Sequence, residues 1–345
     1  MCGIDAIAGP EACLELVEAM NSLLAHRGPD GTGAWQSPCG RVVLGHQRLA
    51  ILDLSERGRQ PLASEDRSVT IAYNGEVYNY WEVRQGLQQR GHRFRTETDT
   101  EVLVSLYGEK GEKFLGDLNG MFAFALFEAR KRCLFAARDR AGVKPLYYAQ
   151  LLSGTLVISS ELKALLAVPG VDRTLDLEAI ADYLAYQFIP DPQTPFRGVR
   201  RLPPAHSLTW QDRRAEVRRW WRAAPPLRGD CAPIGLDEAF QKVRAALARA
   251  VERQLVIDRP VGASLSGGLD SSAIVAAMVR ARHGGEVGCY TVGYTAEDQR
   301  IDPFEEDLPH VQRVAEYLGG ALKALQVRAA AASLWPRLVQ CSTSR

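Results

Sequence analysis

Residues 121–127 and 133–137 are two consecutive apolar runs separated only by the charged stretch 128–132. Runs this short, divided by a charged turn, read as neighbouring strands. A third apolar, β-rich run at 69–73 reads as a buried strand. Helices are expected at 100–107 and 177–186, with Asp99 and Asp176 as their N-caps. From Cys2 to about Trp221 the chain therefore mixes short strands and helices with many turns. That pattern points to stacked sheets with helices outside.

A length of 345 residues favours two domains over one, and 46% apolar residues can fill sizeable cores. The 42 basic and 41 acidic residues nearly cancel, at a net charge of +1. Such a balance offers no footprint for nucleic acid or an anionic membrane. The seven cysteines are scattered, odd in number and without Cys-x-x-Cys spacing. Reduced thiols in a cytosolic protein fit that usage better than a disulfide framework. No basic-then-apolar leader opens the chain, and no apolar run nears the roughly 18 residues that span a bilayer. A soluble, cytoplasmic protein is the expectation. Between 211 and 235 the composition turns to Arg, Pro and Gly, including Trp220, Trp221, Pro225 and Pro226. This gives a domain at 2–221, a linker at 222–236 and a second domain at 237–345. The second opens on a helix to about residue 254, with Phe240, Val243, Leu247 and Val251 at helical spacing.

Three places carry chemistry. Removal of Met1 before the small residue Cys2 would put a thiol and an α-amine on one residue. An unperturbed α-amine has a pKa of about 7.7–8.0, so it can accept the thiol proton near neutrality. Nucleophile and base are then adjacent, as covalent catalysis requires. The strand at 69–73 runs into Asn74-Gly75-Glu76. On spacing alone Asn-Gly is a hairpin turn. The other reading is an oxyanion hole made of the Asn74 amide and the Gly75 N–H, each donor worth roughly 3 kcal/mol in a transition state. In the second domain, a strand-like run at 259–265 ends at Ser266-Gly267-Gly268-Leu269-Asp270-Ser271-Ser272, and Ala273 opens a helical run at 274–282. A Gly-rich turn between strand and helix aims N–H groups and the helix dipole at phosphate. Asp270 could hold Mg²⁺ beside it. A second strand at 288–294 ends in Gly293-Tyr294.

Met1-Cys2-Gly3-Ile4, His26-Arg27-Gly28-Pro29-Asp30, Gly45-His46-Gln47-Arg48-Leu49 and Tyr73-Asn74-Gly75-Glu76 occur in that order. Gly120-Met121-Phe122-Ala123, Arg138-Asp139-Arg140-Ala141-Gly142-Val143-Lys144-Pro145, Ser160-Glu161-Leu162-Lys163 and the Ser266–Ser272 loop follow. As an ordered set they resemble the glutamine-hydrolysing asparagine synthetases to about residue 340. The resemblance implies a four-layer αββα sandwich of the N-terminal-nucleophile amidohydrolases. An incomplete α/β parallel-sheet ATP-pyrophosphatase domain would follow it. It assigns Cys2 to attack on glutamine and Asn74 and Gly75 to the oxyanion. Arg48 would take the glutamine carboxylate, and Glu76 and Asp99 its ammonium. His26, His46 and His92 would be structural. The Ser266–Ser272 loop would hold pyrophosphate, with Leu265 and Val292 around adenine and ribose. ATP and Mg²⁺ are the implied cofactors, and ammonia would pass to an aspartyl-adenylate made from aspartate.

The family's later Asp-Glu-Pro segment and Ser-Gly-x-Gly-x-Asp-Glu loop have no counterpart here. A truncated or split product is the expectation, as a homodimer or completed by a partner chain. The smaller departures are Ser264 and Ala141. Alternatives are a stand-alone glutaminase, an amidotransferase or cyclase acting on another carboxylic acid, and a regulatory subunit.

Overall fold

The apolar runs at 121–127 and 133–137 pair with each other as antiparallel strands, Phe124 opposite Ala137 and Leu126 opposite Phe135. The computed structural model describes residues 1–223, 234–283, 285–294 and 307–327. Most of the expected linker, Pro225 and Pro226 included, and the chain beyond residue 327 lie outside them. The chain divides into two units, the first closing at Ala223.

The first unit begins β1 (Gly3–Ala8), α1 (Leu14–Leu23), β2 (Gly31–Gln36), β3 (Val42–Arg48), β4 (Leu62–Ala63) and β5 (Val69–Val77). It continues α2 (Tyr80–Gln89), α3 (Asp99–Lys110), β6 (Gly120–Glu128), β7 (Cys133–Arg138), β8 (Tyr147–Gln150) and β9 (Leu156–Ser159). Then come α4 (Leu162–Leu166), α5 (Leu177–Tyr186), β10 (Arg200–Arg201), β11 (His206–Gln211) and β12 (Arg214–Arg219). Two six-stranded sheets result, ordered β10-β8-β9-β1-β3-β2 and β12-β11-β7-β6-β5-β4.

The period-two alternation of strand side chains explains why these strands are apolar throughout. From β1, Ile4, Ala6 and Ala8 enter one core with Ala123, Ala125 and Phe127 of β6 and Leu134 and Ala136 of β7. That layer lies between the sheets. On the opposite face of β1, Ile7 packs with α1 and α4 through Val17, Met20, Leu162 and Leu165. On the opposite face of β6 and β7, Phe122, Phe124, Leu126 and Phe135 pack with α2 and α3 through Leu87, Leu103 and Tyr107. Both faces of both sheets are thus covered, which makes the four-layer αββα sandwich. The layer between the sheets mixes six alanines with larger side chains such as Ile4, Phe127 and Trp210, and the outer layer over the second sheet is rich in aromatics. Phe124 lies 5.7 Å from Phe114 and 5.8 Å from Phe135, ring centre to ring centre. Trp220 stacks on Phe122 at 6.3 Å, which accounts for one Trp of the basic run.

Two helix starts test the capping expectations. Asp176 caps α5 as expected, accepting from the Ala179 N–H. Asp99 does not cap α3. Thr98 does, accepting from the Glu101 N–H. The Asp99 carboxyl is engaged elsewhere.

The second unit holds α6 (Leu236–Gln254), β13 (Gly262–Ser264), α7 (Leu269–Ala281), β14 (Gly288–Tyr294), α8 (Leu308–Leu318) and β15 (Ala321–Val327). Its three strands are parallel in the order β13-β14-β15. Val251, Leu265, Val275, Met278, Cys289 and Val311 form its core. Helix α7 starts at Leu269, earlier than the expected Ala273, because Gly268 in extended backbone already ends the loop. Among the described residues no helix is long and apolar enough to cross a membrane.

Ala125 is fully buried between the sheets and lies opposite Ala72 and Ala136 in register. Ala125→Leu is expected to lower unfolding free energy by about 1–3 kcal/mol, through overpacking. Urea unfolding of the pure protein checks this, and an unchanged midpoint would mean the layer has spare volume.

Candidate active site

Cys2 immediately precedes β1, whose first residue, Gly3, pairs with Gln47 of β3. The Leu49 N–H donates to Cys2 Sγ at 3.3 Å, and the thiol points back to the Leu49 carbonyl at 3.6 Å. The Cys2 carbonyl accepts from Arg27 Nε at 3.0 Å, and Arg27 Nη1 is paired with Glu161 at 2.8 Å. Gly28 makes that approach feasible, since a Cβ there would collide with the Gln47 backbone. Asp30 then continues beside β3, its N–H donating to the Arg48 carbonyl at 2.9 Å.

Asn74 and Gly75 are not a hairpin. β5 runs straight through them to Val77, with Asn74 opposite Ala123 and Gly75 opposite Phe122. Nine paired residues outweigh a local turn preference. The open edge of β5 faces the site. Tyr73 N–H donates to Gln60 Oε1 at 2.7 Å, and Val77 N–H to Asp99 Oδ2 at 3.0 Å. N–H directions alternate along a strand, so the Gly75 N–H between them points to the same edge. The Asn74 side chain is 1% exposed, and its Nδ2 has no hydrogen-bond partner. Buried amide donors are rarely left so, because an unmade bond costs on the order of 1–3 kcal/mol.

A cavity of about 220 Å³ brings together Cys2, Arg48, Asn74, Gly75, Glu76 and Asp99, all six candidates for this site. Arg48 is held by the loop that follows β3. Its Nη1 donates to the Ser55 carbonyl at 2.7 Å and its Nη2 to the carbonyls of Leu52 and Asp53. Asp99 is buried and accepts from Tyr73 Oη at 2.7 Å. Burial pushes its carboxyl up to about 6, against the hydrogen bonds from Tyr73 and Val77. Burial likewise raises the Cys2 thiol, Glu76 and Asp99 add to the rise, and the Leu49 N–H and the chain-end ammonium oppose it. The chain-end amine, here that of Met1, is lowered by burial. Burial also takes His46 down to about 4, and its Nε2 donates to the Tyr73 carbonyl at 3.0 Å. A neutral ring committed to a backbone oxygen is structural.

Gln60, Tyr73 and Lys144 also line the cavity. None was assigned a role from sequence. Lys144 lay inside a quoted motif, and only the fold shows that the motif's turn aims it inward.

The nucleotide candidates are arranged less closely. Gly267 (φ +76°) packs against the start of α8, where a Cβ would lie 2.8 Å from His310 Cβ. Ser271 and Ser272 hydroxyls donate to the Gly268 carbonyl at 3.2 and 2.7 Å, and Ser266 Oγ lies 3.1 Å from Ser271 Oγ. The turn joins the C-terminal end of a parallel strand to a helix N-terminus, a geometry suited to phosphate. Gly267, Leu269 and Ser272 border an open groove of about 630 Å³ along α7 and α8. Leu265 is core, while Val292 is 50% exposed on β14. Asp270 is exposed in the first turn of α7, and no group of three or more metal-ligating side chains occurs among the described residues.

Residues 1–221 match the family described as glutamine amidotransferase domain, and residues 242–342 the family described as asparagine synthase. The chain is 36% identical over 335 residues to glutamine-hydrolysing asparagine synthetase 3 of Bacillus subtilis, covering 92% of this chain and 53% of that protein. It is 33% identical over 338 residues to putative glutamine-hydrolysing asparagine synthetase 2 of Methanocaldococcus jannaschii, at 92% and 63% coverage. The enzyme of Asparagus officinalis is 35% identical over 333 residues, at 92% and 48%. The chain therefore spans about half the length of these relatives. Among solved structures, glutamine phosphoribosylpyrophosphate amidotransferase from B. subtilis superposes with a TM-score of 0.51 at 18% identity, covering 96% of this chain and 70% of that one. The structure described as the allosteric regulatory enzyme of purine biosynthesis gives 0.52 at 17%, covering 94% and 80%. At such identities the likeness is one of fold.

The raised Asp99 carboxyl makes a stability prediction. The folded protein holds this proton more tightly than the unfolded chain, so its contribution is present below about pH 4 and lost as pH rises through about 6. Asp99→Asn removes that loss and should gain on the parent by on the order of 1–3 kcal/mol between those limits. Urea midpoints of both proteins across this pH range test it. Parallel profiles would contradict it.

Proposed function

The chain belongs to the glutamine amidotransferase family, and from that premise we propose that its first unit hydrolyses glutamine to glutamate and ammonia. The observation that carries this reading is the unpartnered, buried Asn74 Nδ2 on the same cavity as Cys2. A donor left unsatisfied in the resting site is what a transition-state oxyanion needs.

With Met1 removed, the Cys2 amine takes the thiol proton, and Sγ attacks the side-chain amide carbon of glutamine. The carbonyl oxygen becomes negative between Asn74 Nδ2 and the Gly75 N–H. The same amine returns the proton to the departing ammonia, and water then cleaves the thioester to release glutamate. Arg48 takes the glutamine α-carboxylate, and its anchorage by loop carbonyls fixes its plane. Glu76 and Asp99 receive the α-ammonium. A substrate cation beside Asp99 would favour its ionised form, so the energy stored in its raised pKa is released on binding.

The whole activity we propose is glutamine-dependent asparagine synthesis, with aspartate and ATP as further substrates. Support comes from the family match of residues 242–342 and from relatives named as asparagine synthetases. Those relatives do not favour a stand-alone glutaminase or another acceptor acid. In this reading, the N–H groups of the Ser266–Ser272 turn hold the phosphates of ATP, with Asp270 offering one carboxylate to Mg²⁺. Assembly as a homodimer or with a partner chain, and a cytoplasmic location, belong to the same proposal.

The test is incubation with amide-labelled glutamine, aspartate, ATP and Mg²⁺, following glutamate and labelled asparagine. Glutamate formation is expected, and Cys2→Ala should abolish it. Asn74→Ala should lower kcat by about 10²–10³ with little change in KM. Glutamate release that survives Cys2→Ala would overturn the assignment.

A further inference from the structure

We propose that Lys144 is a positioning residue of the Cys2 site, its ammonium holding the chain-end amine in the neutral form that accepts the thiol proton. The proposal rests on the glutaminase reading for its consequence, though not for its chemistry.

Lys144 is only 6% exposed, whereas its neighbour Val143 is 55% exposed. The turn that produces this inversion is tightly tied. Asp139 accepts from the N–H groups of Ala141, Val143 and Lys144 at 3.0, 3.0 and 3.1 Å. Arg138 Nε donates to the Lys144 carbonyl at 2.7 Å, and Arg138 Nη2 to the Gly142 carbonyl at 2.6 Å. Gly142 has φ +68°, a conformation that costs glycine little. The side chain is thereby directed into the cavity it shares with Cys2 and Glu76. Among the described residues its Nζ makes no hydrogen bond or ion pair. A lysine this buried, its side chain lining a cavity, gives up much of its hydration, so a turn built to hold one points to a use for the charge.

The charges facing the amine and thiol come from six elements. Arg27 lies in the turn after α1, Asp30 beyond it, Arg48 on β3, Glu76 on β5, Asp99 at the start of α3 and Lys144 in the 139–144 turn. The two carboxylates that line the cavity, Glu76 and Asp99, favour protonation of the amine and thiol. Arg27 is bound to the Cys2 carbonyl and Glu161, and Arg48 to loop carbonyls. Arg27 keeps one unpartnered donor, Nη2, but does not line the cavity, whereas Lys144 does. Burial lowers the chain-end amine first, and Arg27 and Lys144 lower it further, against Cys2 and Asp30. Lys144 is itself lowered by burial, while Glu76 and Cys2 pull it back up. With Met1 removed, the amine would belong to Cys2 itself.

The experiment compares the parent with Lys144→Met, which keeps the bulk, and Lys144→Arg, which keeps the charge. Two pH profiles are read: kcat/KM for glutamine, and alkylation of the Cys2 peptide by iodoacetamide, followed by mass spectrometry. In Lys144→Met both acid limbs should move up by about one pH unit, a tenfold loss below about pH 7 that recovers in base. Lys144→Arg should keep the parent limbs. Unmoved limbs in Lys144→Met, or an equal loss at every pH in both variants, would overturn the proposal. Should the parent release no glutamate, the glutaminase reading fails, and the alkylation limbs alone still decide the role of Lys144.

Discussion

The position of β1 governs the rest of the first unit. It lies inside a sheet, paired with β3 on one edge and β9 on the other, and both of its faces are buried. Chain termini ordinarily fray. Here Ile4 exchanges hydrogen bonds with Ser160, its N–H reaching Oγ at 3.0 Å and its carbonyl accepting the Ser160 N–H at 3.0 Å. Two residues further back, Arg27 holds the Cys2 carbonyl. In the proposed reaction, holding Cys2 against an interior strand would let one residue supply thiol and amine in a defined place.

The second sheet supplies what the first cannot. β5 is paired with β6 along its whole length, yet β4 covers only Ile71 and Thr70 on the other edge. The uncovered part, residues 73–77, hands its outward N–H groups to Gln60, to the cavity and to Asp99. An open strand edge is usually a hazard. In this fold it is turned inward, where its donors are either satisfied by side chains or left for a ligand. Alanines of β1, β5, β6 and β7 line the layer between the sheets beside larger side chains. Polar groups gather where that layer ends, and burial acts on them with opposite signs. It raises the Asp99 carboxyl and lowers the chain-end amine, moving both toward their uncharged forms.

Much of this was legible in the sequence because apolar strands buried on both faces leave an unambiguous pattern. The runs at 121–127 and 133–137 became β6 and β7 with their ends within a residue of the expectation. The five candidates that gather around Cys2 were also named, through the family resemblance rather than through spacing. Local rules failed where tertiary bonds compete. Asn74-Gly75 carries a turn signature, but pairing with β6 keeps it extended. Asp99 looks like a cap, but Tyr73 and Val77 claim its carboxyl, and Thr98 takes the cap. Lys144 could not be assigned, since a lysine between Val143 and Pro145 reads as exposed until Asp139 and Arg138 are seen to fold the turn. The early start of α7 was missed because glycine and serine signal a loop, whereas Leu269 and Asp270 already lie in its first turn.

The most direct measurement of the central claim is covalent capture. A glutamine analogue carrying an electrophilic carbon in place of the side-chain amide should label the protein once, and peptide mass spectrometry should place the label on Cys2. L-Glutamine should protect, D-glutamine should not, and Asn74→Ala should slow the labelling. Label on any of the other cysteines, or labelling indifferent to L-glutamine, would contradict a site in which Cys2, Asn74 and Gly75 act on bound glutamine.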